Sequence, residues 1–393
     1  MRIRLNGGFG RIEESYLFSE VGKRIRTYRA RHPGADVISL GIGDVTLPLP
    51  RCAADALVRA GREMGNRESF RGYAPEHGYE FLREAVAARY RSRDVSLQSG
   101  EIFISDGAKS DLGGLVELFG DNPVFVPDPG YPVYRDTNLM AGRRVLSLAG
   151  SAENGFLPQP DYSLRQPCVV YLCSPGNPTG AVYDRPALEK WVDYALDTGS
   201  LLLFDAAYEA FVGDNRPRSI FEIPAARACA IEIGSLSKTA GFTGLRCGWT
   251  VVPEALQSDG IALHALWARR QATKCNGVAY PVQRAAEAVL SPEGEAQCAQ
   301  NIRYYLENAR CLAALLDEKR IPYTGGDASP YLWMRCPGGM DSWTFFDWLL
   351  ENAGVAGTPG EGFGQNGAHH FRLSAFGDAQ KTAEAVDRMR TLL

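Results

Sequence analysis

The 393-residue chain carries 42 lysines and arginines against 46 aspartates and glutamates, for a net charge of −4, and 45% of its residues are hydrophobic. That length is enough to bury a large core, expected as two lobes, while the charge balance offers no footprint for nucleic acid or an anionic membrane surface. Small molecules are therefore the expected partners.

Nine scattered cysteines, odd in number and without a C-x-x-C pair, read as buried thiols of a reducing compartment. The N-terminus has no apolar signal core, and no run approaches the length of a membrane span, so no membrane association and a cytoplasmic location are expected. The five histidines lack metal-ligand spacing, and no metal is expected.

In chain order, Ile12, Tyr16, Leu17, Val21, Ile25 and Tyr28 fall at helical spacing before His32-Pro33-Gly34, which predicts a helix over 12–31. A short strand at 37–40 runs into Gly41-Ile42-Gly43-Asp44, where glycines suit either a close backbone approach or a plain tight turn. Helices are predicted over 51–64 and 79–93, flanking the polar, aromatic loop Arg71-Gly72-Tyr73-Ala74-Pro75-Glu76-His77-Gly78.

From residue 101 strand, loop and helix alternate. Strand 102–104 leads to Ser105-Asp106-Gly107-Ala108-Lys109, which opens a helix predicted to reach Phe119; its start is a ready anion site, and Asp106 is also a candidate N-cap. Further apolar strands are predicted at 124–126, 168–173, 201–204, 228–233 and 248–252, which argues for a mostly parallel sheet covered on both faces. After about residue 281 the alternation stops. A long helix over 293–319, strands near 321–323, 331–334 and 370–374, and helices over 342–353 and from Asp378 predict a smaller α+β lobe, which the N-terminal helix is free to join.

The chemistry concentrates in loops at strand ends, where open α/β sheets bind ligands. Ser235-Leu236-Ser237-Lys238 follows one strand, with Arg246 eight positions beyond the lysine. A desolvated lysine is an amine nucleophile toward a carbonyl, and two hydroxyls with an arginine suit a phosphate, together a seat for pyridoxal phosphate. On this motif alone a surface lysine in a Ser/Thr loop serves equally. Asp205 emerges from Leu201-Leu202-Leu203-Phe204 at a buried edge where its charge needs a partner, and a protonated pyridine nitrogen would supply one. An N-cap role or an Asp–Arg pair would explain Asp205 by itself, but not with Lys238, Asn177 and Tyr208 at equivalent strand ends.

Two other motifs point elsewhere. Gly362-Phe363-Gly364-Gln365-Asn366-Gly367 fits G-x-G-x-x-G, yet no strand is expected before it and too few residues follow for a βαβ unit. Ser235-Leu236-Ser237-Lys238 also fits the S-x-x-K of acyl-transfer enzymes, but the S-D-N and K-T-G partners are missing.

Asn177-Pro178-Thr179-Gly180, Asp205-x-x-Tyr208, Ser235-x-Ser237-Lys238, Arg246-x-Gly248 and Arg372 resemble, in order and along the whole chain, the fold-type I pyridoxal-phosphate aminotransferases of class I/II. The stretches 40–49, 71–73, 101–109, 219–224 and 241–244, with Tyr16-Leu17-Phe18, resemble the LL-diaminopimelate aminotransferase branch of that family. Gly130 and Gly176 depart from its usual pattern.

The resemblance implies an α/β fold: a large domain with a mostly parallel seven-stranded sheet over 49–281, a smaller α+β domain over 282–393, and an arm and part of the small domain over 1–48. It implies that Lys238 tethers the cofactor and shuttles a proton, that Asp205 holds the ring nitrogen, and that Asn177 and Tyr208 bond the ring's phenolic oxygen while Tyr131 stacks on the ring. Ser235, Ser237, Arg246, Ala108 and Lys109 would bind the phosphate, with Tyr73 arriving from the partner subunit of a homodimer. Arg372 would grip the substrate α-carboxylate as a fork. Tyr16, Gly43, Glu76, Lys109, Tyr131, Asn177 and Asn276 would complete the substrate site, Glu76 facing the distal ammonium. The implied reaction exchanges an amino group between glutamate or 2-oxoglutarate and LL-diaminopimelate or its precursor tetrahydrodipicolinate. Another amino acid as substrate, aromatic, alanine or aspartate, is the alternative within the fold, and a non-catalytic ligand sensor the alternative outside enzymes.

Overall fold

A computed structural model describes residues 3–12, 17–41, 43–213 and 215–393. Helix α1 (Leu17–Arg31) turns Leu17, Val21 and Tyr28 inward, one apolar stripe at helical spacing; the part of the expected helix at 13–16, with Tyr16, lies outside the described residues. After the two-residue strand β1 (Ile38–Ser39) come α2 (Arg51–Met64) and α3 (Glu80–Arg91), where the apolar periodicity placed them.

The alternating region follows as β2 (Ile102–Ser105), α4 (Ala108–Leu115), β3 (Val124–Asp128), α5 (Pro132–Met140), β4 (Val145–Ala149), β5 (Val169–Cys173), α6 (Arg185–Thr198), β6 (Leu201–Asp205), β7 (Ala230–Ser235) and β8 (Gly248–Val251). Proline opens α5 and α6, where its missing N–H costs no helical bond. Asp184 caps α6 by accepting from the Ala187 amide, and Gly199 ends it in the left-handed region.

These strands form one seven-stranded sheet in the order β2-β8-β7-β6-β5-β3-β4, parallel except for β8, which runs antiparallel to both neighbours. Successive residues alternate between its two cores. Val170, Leu172, Leu202 and Phe204 enter one, and Val169, Tyr171, Leu203 and Ile231 the other, so strands buried on both faces read as continuous apolar runs.

The chain continues through a small hairpin, β9 (Gln257–Ser258) and β10 (Ile261–Ala262), to α7 (Leu263–Lys274), α8 (Tyr280–Val289) and α9 (Pro292–Glu318). Then come β11 (Tyr323–Gly325), β12 (Tyr331–Arg335), α10 (Ser342–Ala353), β13 (Val355–Ala356), β14 (Thr358–Pro359), β15 (His370–Ser374) and α11 (Ala379–Arg390). A second, antiparallel sheet runs β11-β12-β15-β14. Its own core takes residues from α1, α9, α10 and α11, and β1 pairs with β13 to bring Val37, Ile38 and Leu40 into it.

Three expectations need correcting. Helix α4 stops at Leu115 and passes into a single 3-10 turn, Val116–Leu118, after Gly113 and Gly114, where a Cβ at 114 would press on the Arg270 guanidinium. Asp106 does not cap α4; Gly107 occupies the N-cap at φ 118, a value only glycine holds without strain. A short strand, β14, does precede the glycine motif at 362–367, but 3-10 turns rather than a helix follow, so no βαβ unit forms.

Candidate active site

A cavity of about 410 Å³ opens where the sheet strands end, lined from the large sheet by the residues after β2, β5, β6 and β7 and from the small sheet by Tyr331 and Arg372. Parallel pairing sets Cys173 beside Asp205 and Asp205 beside Ile233, so the acid at the end of β6 and the lysine loop after β7 share one edge by register.

Lys238 reaches into this cavity and donates from Nζ to the carbonyl of Gly43, with the Phe376 ring 5.4 Å from Nζ. Burial pulls its amine down to about 8, with Arg372 and Arg246 pushing the same way against the opposing pull of Asp44. A lysine so placed is nucleophilic near neutral pH.

Asp205 is 4% exposed and has no cationic side chain in ion-pair range among the described residues. Its Oδ2 accepts from the Tyr134 hydroxyl at 2.6 Å and its Oδ1 from the Ala207 amide at 3.0 Å. Burial raises its pKa; the two hydrogen bonds act against that rise.

Arg372 on β15 is fully buried and likewise meets no carboxylate among the described residues. Its Nη1 donates to Asn177 Oδ1 at 2.8 Å and its Nη2 to Gly41 O at 3.0 Å, while Nε has no partner among them. The rings of Tyr331, Phe363 and Phe18 lie 4.3, 5.0 and 5.6 Å from the guanidinium carbon. An unpaired buried cation is costly, and a fork with a free nitrogen between aromatic faces suits an incoming carboxylate. Asn177 spends its carbonyl on Arg372, so it offers its amide N–H groups to the cavity. The Tyr208 hydroxyl pairs with that of Tyr331 at 2.9 Å, and burial raises the pKa of both.

At the other end of the cavity Ser235, Ser237, Arg246, Ala108 and Lys109 converge. Arg246 holds φ 63, unusual for a non-glycine residue, and its Nη1 donates to Thr243 O at 3.2 Å and to Ser237 Oγ at 3.4 Å. A Cβ on Gly107 would come 2.5 Å from Arg246 Nη2, and one on Gly248 3.1 Å from the Ala108 amide. The bare backbone lets the arginine, two serines and a helix start close round one anion-sized space.

Gly43 and Tyr131 also line the cavity, with Phe18 and Asp44, which stood in the sequence motifs without a role, and Tyr134 and Tyr331, which the motifs did not single out. A signal for Tyr134 existed: it stands one helical turn after Tyr131. Tyr331 lay unnoticed in an apolar strand. Tyr73, Glu76 and Asn276 do not reach the cavity of their own chain; Tyr73 is 87% exposed. The turn at Gly277, φ 75, instead packs against Ala74 and Pro75, which brings the loops of all three together. The departures at Gly130 and Gly176 have local reasons: a Cβ at 130 would strike Pro127 O, and one at 176 would sit 2.7 Å from Thr179 Oγ1.

The residues present fit pyridoxal phosphate: a buried carboxylate lacking a cation, an amine of lowered proton affinity at the same edge, and a glycine-lined anion seat. Among the described residues no helix is long and apolar enough to cross a membrane, and no cluster of metal-binding side chains occurs.

The model for "Aminotransferase class I and II" matches residues 35–389. A curated relative from Desulfosudis oleivorans named LL-diaminopimelate aminotransferase is 51% identical over 98% of both chains, and one of that name from Agathobacter rectalis is 46% identical over 99% of this chain and all of its own. The solved L,L-diaminopimelate aminotransferase from Chlamydomonas reinhardtii superposes with a TM-score of 0.94 at 40% identity, over 100% of this chain and 99% of its own. With the fold, the strand-end lysine and aspartate and these full-length likenesses in hand, the chain belongs to the class I and II aminotransferases, pyridoxal-phosphate enzymes, and within them to the LL-diaminopimelate aminotransferase family.

Proposed function

We propose that the protein moves an amino group from glutamate to tetrahydrodipicolinate, by way of its ring-opened keto form, giving LL-2,6-diaminopimelate and 2-oxoglutarate for lysine and cell-wall synthesis. The observation that carries a transamination reading is Arg372, a fully buried fork without a carboxylate, in one cavity with Lys238 and Asp205. The choice of diaminopimelate rests on the names of relatives about half identical over their full length.

Bound pyridoxal phosphate supplies the electron sink that makes the substrate Cα–H acidic. Lys238 would hold the cofactor's aldehyde carbon and carry the proton at the substrate Cα, work suited to an amine of pKa near 8. Asp205 would keep a proton on the ring nitrogen, Asn177 and Tyr208 would donate to the phenolic oxygen, and Tyr131 would cover the ring. Ser235, Ser237, Arg246, Ala108 and Lys109 would hold the phosphate, and Arg372 would orient the α-carboxylate.

We place Tyr73, Glu76 and Asn276 at the partner's cavity in a homodimer, because they gather on an exposed face of their own chain. Tyr73 would reach the phosphate, and Glu76 the distal ammonium that distinguishes diaminopimelate from glutamate. We also propose two lobes, a cofactor-binding one over 49–281 and a smaller one over 282–393 joined by 1–48; two separate apolar cores support two lobes, with Ala285, Ala286, Val289 and Cys298 of α8 and α9 packing into the larger core. The nine free cysteines fit a reducing cytoplasm.

The test is an assay with LL-diaminopimelate and 2-oxoglutarate. Glutamate should form at a rate far above that with alanine, aspartate or tyrosine as donor. Preference for one of those donors would move the substrate assignment to that amino acid.

A further inference from the structure

Helix α5 does more than present Tyr131. One turn later its Tyr134, 1% exposed, directs a hydroxyl at Asp205 Oδ2, 2.6 Å away. The two rings meet edge to face at 5.6 Å, so the first turn of one helix delivers both to the same wall of the cavity.

The Tyr134 ring is itself immobilised. It stacks on Tyr171 of β5 with centroids 5.0 Å apart, and Asn138, the next turn of α5, donates to Tyr134 O at 2.8 Å and to the Tyr171 hydroxyl at 3.0 Å. Burial and the neighbouring Asp205 carboxylate hold the Tyr134 phenol protonated, which makes it the donor and the carboxylate the acceptor. Among the described residues Cys173 on the adjoining β5 also faces Asp205 and the Tyr134 hydroxyl, its thiol kept protonated by burial, and Lys238 and Tyr208 line the same cavity. The facing residue of β7, Ile233, carries no charge.

We propose that Tyr134 is the positioning residue for Asp205: its buried hydroxyl, 2.6 Å from Oδ2, fixes the carboxylate in one orientation toward the cavity. The inference rests on Asp205 being the partner of the cofactor's ring nitrogen. Tyr134 touches neither cofactor nor substrate in this scheme; it acts through the carboxylate. Because Tyr131 and Tyr134 share a helix turn, the group covering the ring and the group aiming the acid are set together.

The test uses Tyr134→Phe, which keeps the ring between Tyr131 and Tyr171 and removes only the hydroxyl. Pyridoxal phosphate is titrated into the cofactor-free protein across pH 5 to 8, and cofactor-free melting is followed alongside. Loss of one charge-assisted hydrogen bond should weaken cofactor binding roughly ten- to hundredfold at pH 7. The midpoint at which affinity falls on acidification should move up by about one pH unit, because the acid now takes its proton more readily. In an Asp205→Asn background the same Phe substitution should change affinity less than threefold, roughly the margin for uncoupled sites.

Wild-type affinity and an unmoved midpoint in Tyr134→Phe would overturn the proposal while leaving the cofactor site intact. Equal losses with Asp205 intact and in the Asp205→Asn background would overturn it too, by showing that the hydroxyl works through packing. Failure of the unsubstituted protein to bind the cofactor would remove both this inference and the function it rests on.

Discussion

Arg372 is wholly buried and Lys238 largely so, and each cation is tuned for something absent from the polypeptide. The lysine's lowered affinity for its proton has a consequence for the cofactor-free chain. Below about pH 8 the folded protein bears the full cost of burying an ammonium; as pH rises from about 8 toward 10.5 the unfolded chain holds the extra proton and that cost disappears. Lys238→Met should therefore raise the cofactor-free melting temperature more at pH 7 than at pH 10, as differential scanning calorimetry at the two values will show; an equal gain would mean the amine is not strained by burial. The same substitution should leave no measurable turnover. At Arg372 a lysine cannot imitate a fork that is already divided between Asn177 and Gly41. Arg372→Lys should lower kcat/KM at least a hundredfold for glutamate and diaminopimelate alike, in steady-state assays, because both present the same α-carboxylate.

At the scale of elements, the site depends on where strands stop. Leu203 sits in the middle of β6 with no exposure, and trimming it to alanine should cost about 2–5 kcal/mol in urea unfolding. Elements of this kind were legible in the sequence because a strand buried on both faces must be apolar throughout and must end in polar or glycine-rich loops. Lys238, Asp205, Asn177 and Arg246 announced themselves there. The edge strand β4 did not: its residues are half-buried or exposed, and Val145-Leu146-Ser147-Leu148-Ala149 lacks the contrast of the central strands. Nor did Tyr134 and Tyr331, whose importance comes from hydroxyls that meet Asp205 and Tyr208 across 71 and 123 residues of chain. No local pattern encodes a contact of that span. Asp106 misled because its residue type suits an N-cap while the backbone at Gly107 needs a positive φ.

Across the whole molecule, the exposed grouping of Tyr73, Glu76 and Asn276 makes a prediction that one chain cannot satisfy. Lys238→Ala homodimers should be inactive and Tyr73→Ala with Glu76→Ala homodimers severely impaired, yet mixing the two through partial denaturation should restore about a quarter of wild-type activity, since half the dimers are mixed and each has one complete site. No recovery would mean that each chain builds its site alone. Glu76→Ala by itself should raise KM for diaminopimelate at least tenfold and leave that for glutamate within about twofold. The Arg372–Asn177 hydrogen bond joins the small antiparallel sheet to the loop after β5 in the large one. With the carboxylate role proposed for Arg372, the same side chain would both grip the substrate and fasten the two sheets together, and an engineer seeking a new amino-acid preference would do better to randomise the loops around 73–76 and 276, where selectivity can drift without loosening that fastening.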